Sequence, residues 1–361
     1  MPKKSISSLE LSALVQELQY IIKGKITQIY HQDNNEFLLQ LHVPSQGKQL
    51  LKIIPGKWLC LTKNKDVPER PSGLCLQLRK YLDQAFIKNF YQWETERIVV
   101  FELEKSEKYY LIVEFFSKGN VLLTDKDYNI IAAMEKQFWK ERTLKAKEKY
   151  LPPSGGVNWR KLTEKELAVI LQKSEKKNLA TSLATEIGIG GLYAEELCKR
   201  SGIDKTKIPA EVSGNEVKSL LKSLKELLKL LEEPKGYVYA EDVTPLLLLD
   251  QIPLKMVENY NLAIDALNPF VIKSPYQKKI ETIQRMVASQ EEAIQKQQDL
   301  IAENSRKGEL IYEKYADLQK LLDIVKEMRK TKEWKEVEAE LKKVKKIKKV
   351  DLKDKKVMLE F

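Results

Sequence analysis

The segment Ile187–Ala194 reads Ile-Gly-Ile-Gly-Gly-Leu-Tyr-Ala and lies between two stretches of helical pattern. Alternating isoleucine and glycine, with alanine four residues after Gly190, is the pattern of a helix–hairpin–helix. Gly188, Gly190 and Gly191 let the backbone approach closely, and exposed amides at the start of the second helix can hold a phosphate. Such contacts touch only the nucleic-acid backbone and are blind to sequence. An ordinary glycine-rich connection carries the same letters. Lys199 and Arg200, at the far end of the second helix, add charge. Arg79 and Lys80 are neighbours on a second predicted helix, so they point to different faces. Glu96 and Arg97 open a strand just after Phe90, Tyr91 and Trp93. Aromatics beside an arginine stack unpaired bases, although half-buried sheet packing is the plainer reading. Between Lys342 and Lys356 nine lysines face two aspartates, with Lys342, Lys343, Lys345, Lys346, Lys348 and Lys349 closest together. That run suits a polyanion or a solvated lysine-rich helix face.

Residues for conventional catalysis are sparse. The two histidines, His31 and His42, are not at ligand spacing with cysteine or carboxylate, which argues against a zinc site. No Walker A loop, GxGxxG or GxSxG occurs. Neither a cofactor nor a small-molecule substrate is expected. Cys60, Cys75 and Cys198 form no CxxC pair, and their odd number points to free thiols in a reducing compartment, the cytoplasm. No apolar run has signal-peptide or membrane-spanning length. The net charge of +11, from 63 Lys+Arg against 52 Asp+Glu, fits a polyanionic partner.

The elements that must position these residues follow from periodicity. Ser7–Ile22 has helical spacing, with Ser7 or Ser8 as N-cap and Gly24 as stop. Lys25–His31, Glu36–Val43 and Gln49–Pro55 alternate as strands. A helix over Leu74–Asp83 follows the break at 67–73. Strands are predicted at Phe86–Glu94, Glu96–Glu104, Tyr109–Phe116, Asn120–Asp125 and Asp127–Met134. This is an α+β domain with a meandering, largely antiparallel sheet, ending near residue 155 at a Pro–Pro–Ser–Gly–Gly boundary. A helical domain is expected over 156–235, with a capping box from Thr163 to Glu166, and a strand and helix close the globular part at 236–274. Residues 275–345 read as one coiled-coil arm. Its seam Ile280–Val287–Ile294–Ile301 is apolar, while Gln290, Gln297 and Asn304 interrupt the other, which favours a hairpin over a homodimer. Residues 346–361 read as a basic tail and one unpaired strand, the start of a next domain.

The runs Ser7–Gln32, Arg70–Val99 and Ile112–Asp125, with the Leu78-Arg-Lys-Tyr-Leu and Gly119-Asn-Val-Leu-Leu-Thr-Asp motifs, resemble the NFACT family. These are ribosome quality-control factors, also called fibronectin-binding A proteins. The stretch Lys307–Glu327 is similar to the archaeal and eukaryotic branch. The resemblance implies an N-domain akin to that of formamidopyrimidine-DNA glycosylases, then a helix–hairpin–helix and a coiled-coil arm, with an RNA-binding NFACT-R domain missing. It implies binding to tRNA and to large ribosomal subunits (rRNA) obstructed by peptidyl-tRNA with its nascent chain, and template-free alanine-type tailing. Peptide-bond chemistry would belong to the ribosome, so no enzyme is expected. The family's Asp–Arg pair matches Glu96 and Arg97, and the acid of its SxLD motif matches Glu10. With Arg79 and Lys80 these form the expected tRNA-binding set. Glutamate for aspartate lengthens the reach at Glu10 and Glu96, which bears on tailing. A glycosylase with Pro2 as nucleophile and a surface adhesin are the other functional classes. Lys3 in place of glutamate speaks against the first, and the lack of an anchor segment against the second.

Overall fold

In a computed structural model the chain divides into two units, Met1–Ile272 and Lys273–Phe361. The structure describes residues 5–32, 35–65, 70–139, 142–153, 155–240, 242–267, 275–341, 347–351 and 356–359.

Among the described residues the first unit carries a nine-stranded antiparallel sheet. Its strands are β1 (Lys25–His31), β2 (Phe37–Val43), β3 (Gly47–Ile54), β4 (Trp58–Thr62), β5 (Phe86–Gln92), β6 (Ile98–Glu104), β7 (Lys108–Glu114), β8 (Asn120–Asp125) and β9 (Ile130–Ala133). The order β4-β3-β2-β1-β5-β6-β7-β8-β9 is two meanders laid edge to edge. They meet at one residue pair, Lys25 and Phe86. Periodicity marks eight of these strands. It misses β4, where Trp58, Leu59, Cys60, Leu61 and Thr62 are all buried and no polar face alternates; β7 and β8 are nearly as buried, and apolar runs between turns mark them instead.

The strands of the second meander bury both faces. Along β6, Val99, Phe101 and Leu103 enter the main core, while Ile98 and Val100 enter a smaller one with Ile112, Leu122 and Tyr150. The smaller core lies under a hairpin of β10 (Gln137–Phe138) and β11 (Thr143–Leu144). Glycine is required where two turns touch. Gly56 and Gly119 have φ near +76° and +72°, and a Cβ on Gly119 would stand 2.0 Å from Gly56 N.

The main core is shared with α1 (Ser8–Glu17), α2 (Gly73–Leu82), α3 (Glu164–Lys173), α4 (Leu179–Thr185), α5 (Gly191–Ser201), α6 (Gly214–Leu230) and α7 (Tyr260–Leu267). The predicted capping box at Thr163 and Glu166 opens α3, and others open α1 at Ser7 and Glu10 and α6 at Ser213 and Glu216. A small sheet in the order β13-β12-β14 completes the unit: β12 (Gly236–Val238), β13 (Val243–Thr244) and β14 (Lys255–Val257).

The second unit begins with α8 (Pro275–Glu313), 39 residues long and therefore roughly 58 Å. The single arm read from periodicity is broken: Lys314 leaves helical geometry at ψ +16°, and α9 (Tyr315–Thr331) follows. No helix pairs with α8 along its length among the described residues, and the seam residues Ile294, Ile301 and Leu322 stay exposed. After α10 (Trp334–Leu341) comes a hairpin of β15 (Ile347–Asp351) and β16 (Lys356–Leu359). The expected lone terminal strand is thereby corrected. Apolar positions pair across the hairpin as Ile347 with Leu359 and Val350 with Val357, a pattern the surrounding lysines hide in one dimension. Among the described residues, no helix is long and apolar enough to cross a membrane.

Candidate nucleic-acid interface

Between β5 and β6 the chain reverses over Trp93–Arg97, with Glu94 in left-handed geometry at φ +48°. The Glu96 amide donates to Trp93 O at 2.9 Å. Gln92 Nε2 donates to the Glu96 and Ser8 carbonyls, both at 2.9 Å, tying the turn to α1. Thr95 Oγ1 ties it to Val157 O at 3.0 Å. Gly156 leaves the room that the Glu96 carboxylate fills, since a Cβ there would lie 1.8 Å from Oε1. The turn thus holds Glu96 and Arg97 side by side, both half-buried.

Burial sets the electrostatics of the pair. It raises the Glu96 pKa, which Arg97 pulls down and Glu94 pushes up. It lowers that of Arg97, against the support of Glu96. Even so lowered, a guanidinium stays charged at neutral pH. Arg97 Nη1 donates to Ser5 Oγ at 3.5 Å, and among the described residues no carboxylate lies within 4.0 Å of it. Desolvated, and with Glu96 near but no carboxylate in hydrogen-bonding contact among the described residues, it is disposed to bind an anion or a base edge.

Opposite the turn stands the loop from α4 to α5. Ile187 and Ile189 are anchored in the core, which turns the intervening Gly188 outward. Gly188 has φ +81° and Gly190 φ +85°; a Cβ on Gly188 would meet nothing within 4 Å. Ser8 Oγ donates to Gly188 O at 2.8 Å, so α1 also fixes this loop. Gly190 is the N-cap of α5 and has no side-chain acceptor to cover the first-turn amides. The two sides enclose a cleft of about 640 Å³ whose lining includes Ser5, Glu10, Glu96, Arg97, Gly188, Gly190 and Gly191.

Six of the expected site residues therefore meet in one place: Glu10, Glu96, Arg97 and the three glycines. Glu10 is there as frame, being buried. Its Oε2 accepts from Ser7 N at 2.8 Å and its Oε1 from the Tyr193 hydroxyl at 2.8 Å. Arg79 and Lys80 do not line the cleft. They lie on α2, where Arg79 Nε donates to Ile29 O at 2.7 Å and the guanidinium covers Tyr30, while Lys80 lies over Tyr81. Lys199 and Arg200 tie α5 to a neighbouring loop. Arg200 donates to Glu196 Oε1 at 2.8 Å and to Leu247 O at 2.7 Å, and Lys199 lies 3.8 Å from Asp250. Phe90 packs on Phe101, and Trp93 on Tyr128 and Tyr150, so these aromatics serve packing. Of the lysine cluster, Lys342, Lys343, Lys345 and Lys346 lie outside the described residues, and Lys348 and Lys349 lie on β15. Ser5, Tyr193 and Asp242, which also line the cleft, carry no signal in one dimension, apart from the place of Tyr193 within the glycine segment. Among the described residues, no cluster of His, Cys, Asp or Glu could hold a metal ion.

Comparison with known proteins gives this arrangement a context. The archaeal Rqc2 homolog aRqcH of Methanocaldococcus jannaschii is 29% identical over 364 residues, covering 92% of this chain and 53% of that protein. Ribosome quality control complex subunit 2 of Saccharomyces cerevisiae is 33% identical over 134 residues, 36% of this chain and 13% of its own length. The chain thus spans about half the length of the first relative and much less of the second. The N-terminal structure of the fibronectin/fibrinogen-binding protein from Streptococcus suis superposes with a TM-score of 0.59 at 20% identity, over 73% of this chain and 98% of that one. That likeness is one of fold. The family model for the NFACT N-terminal and middle domains matches residues 7–359, and the chain belongs to the NFACT family.

Proposed function

We propose that this chain is the tRNA-gripping part of a cytoplasmic ribosome quality-control factor. The observation that carries the reading is the cleft in which Arg97, with no carboxylate within 4.0 Å among the described residues, faces the glycine loop at the start of α5. The α4–α5 pair acts as a helix–hairpin–helix, offering amides to a phosphate while Arg97 reads phosphate or a base edge. Glu10 positions both sides. The heptads of α8 serve as one leg of a coiled-coil arm that reaches over ribosomal RNA, with the lysine-rich hairpin supplying sequence-blind affinity. The names of the relatives, Rqc2 homolog and ribosome quality control complex subunit, support the assignment. The complete protein would bind large subunits obstructed by peptidyl-tRNA and recruit tRNA for tailing of the nascent chain, with bond formation left to the ribosome.

Co-sedimentation of the complete protein with large subunits, followed by sequencing of the bound tRNA, tests this. Retention on obstructed subunits with a defined tRNA is expected. Absence from the subunit fraction would contradict it.

A further inference from the structure

A second concavity, of about 490 Å³, adjoins the Arg97 cleft. Its lining includes Ser5, Gly56, Lys57, Lys118 and Glu135, and Ser5 also lines the first cleft and accepts from Arg97. Lys57 and Lys118 sit on the two turns that Gly56 and Gly119 press together, so their spacing is fixed by backbone contact. Both lysines are exposed, and among the described residues neither has a carboxylate within 4.0 Å. The chain from Met134 to Gln137 runs beside the same turn. Asn120 Nδ2 donates to Glu135 O at 2.9 Å, and Gln137 Nε2 donates to Gly119 O at 3.2 Å. Phe138 and Trp139 follow directly and stand 67% and 43% exposed. Arg142 lies against Trp139, but its charge is consumed by a bidentate pair with Glu114, at 2.7 and 3.1 Å.

Exposed aromatic faces beside unpaired cations are what a single strand of nucleic acid needs: stacking for bases and charge for phosphates. A duplex keeps its bases stacked inside and offers nothing to Phe138 or Trp139. We infer that an unpaired RNA segment leaves the Arg97 cleft over Ser5, lays its phosphates along Lys57 and Lys118, and stacks a base on Trp139. The inference rests on the tRNA reading above and assigns a residue path to it. Glu135 is the acidic residue in this groove and Lys136 beside it is basic and exposed, so the balance on the path remains positive.

The test titrates the full chain with labelled hexauridylate and with a six-base-pair G–C RNA duplex, at several salt concentrations. Wild type should prefer the hexamer. Lys57→Gln/Lys118→Gln should lower the slope of log affinity against log salt by about 1.4, at about 0.7 per phosphate on a single strand. Trp139→Ala should weaken hexamer binding about fivefold or more, and the hexamer should quench less fluorescence in Trp139→Phe than in wild type. The lysine pair is exposed and has no carboxylate within 4.0 Å among the described residues, so its removal should leave the melting temperature unchanged. An unchanged slope together with unchanged affinity in Trp139→Ala, while Arg97→Ala still weakens tRNA binding, would overturn the path and leave the tRNA reading standing. Loss of effect at Arg97 alone would overturn the tRNA reading instead. Equal displacement of the hexamer by hexaglutamate would show a site for acidic peptide and overturn the RNA assignment.

Discussion

The Tyr193 hydroxyl donates to Glu10 Oε1 at 2.8 Å, across 183 residues of sequence. One carboxylate thereby closes the capping box of α1 and clamps α5, whose glycine start forms one wall of the cleft. Burial raises the Tyr193 pKa well above its ordinary value, with Glu10 adding to the effect, so the hydroxyl remains a donor at every physiological pH. Tyr193→Phe removes this donor and should cost about 1–2 kcal/mol in denaturant unfolding. Glu10→Ala removes the cap as well and should cost about 3 kcal/mol. Equal, negligible losses for both would show that the clamp does not hold the two helices.

Glu17 gives the fold a pH dependence. Its carboxyl is pushed up to about 7 by burial, against the backbone amides of Tyr260 and Asn261 that donate to it. A folded-state pKa above the unfolded 4.5 makes its contribution complete below about pH 4.5 and lost as pH rises through 7. Glu17→Gln should flatten the stability profile between those values. It should also raise stability at pH 8 relative to wild type by on the order of 2 kcal/mol. Parallel profiles for the two proteins would show that Glu17 does not cause the slope.

Two glycines with similar φ should respond differently to alanine. At Gly119 the new Cβ meets Gly56 N at 2.0 Å and Pro55 C at 2.2 Å, both backbone. Gly119→Ala should therefore cost about 3 kcal/mol or more. At Gly188 nothing lies within 4 Å, and Gly188→Ala should cost about 1 kcal/mol through φ alone. Thermal melts of the two variants compare them directly, and equal shifts would contradict the packing argument.

Arg200 separates structure from binding. It neutralises the buried Glu196, whose carboxylate also accepts from Leu249 N at 3.0 and 3.2 Å. Arg200→Ala should destabilise by about 3 kcal/mol while leaving the salt slope of tRNA binding unchanged. A shallower slope with intact stability would return Arg200 to the nucleic-acid surface.

Much of this was legible in one dimension wherever one face of an element meets water. Alternation marks β1 to β3, apolar runs between turns mark β5 to β9, and N-cap chemistry marks Ser7 or Ser8 and Thr163. Two-sided burial removes the alternation, and Trp58–Thr62 passes unmarked. Lysines with alternating apolar residues read as a basic tail and one lone strand over 346–361, although the backbone pairs as a hairpin. The glycine segment and Glu96–Arg97 stand out by residue type, yet only the fold brings them to one cleft. Charge alone does not separate Arg79 and Arg200, which bond to carbonyls away from the cleft, from Arg97, which lines it. Trp139 had no signal, since an exposed indole and a buried one read alike.

In the proposed reading, Arg97 grips tRNA. Its one side-chain hydrogen bond among the described residues, to Ser5, is 3.5 Å long, so Arg97→Ala should leave stability within about 0.5 kcal/mol of wild type. Binding of tRNA at fixed salt is the direct measurement. Affinity should fall about tenfold, as expected for loss of a bidentate contact worth about 1–3 kcal/mol; unchanged affinity in a folded variant would contradict the account.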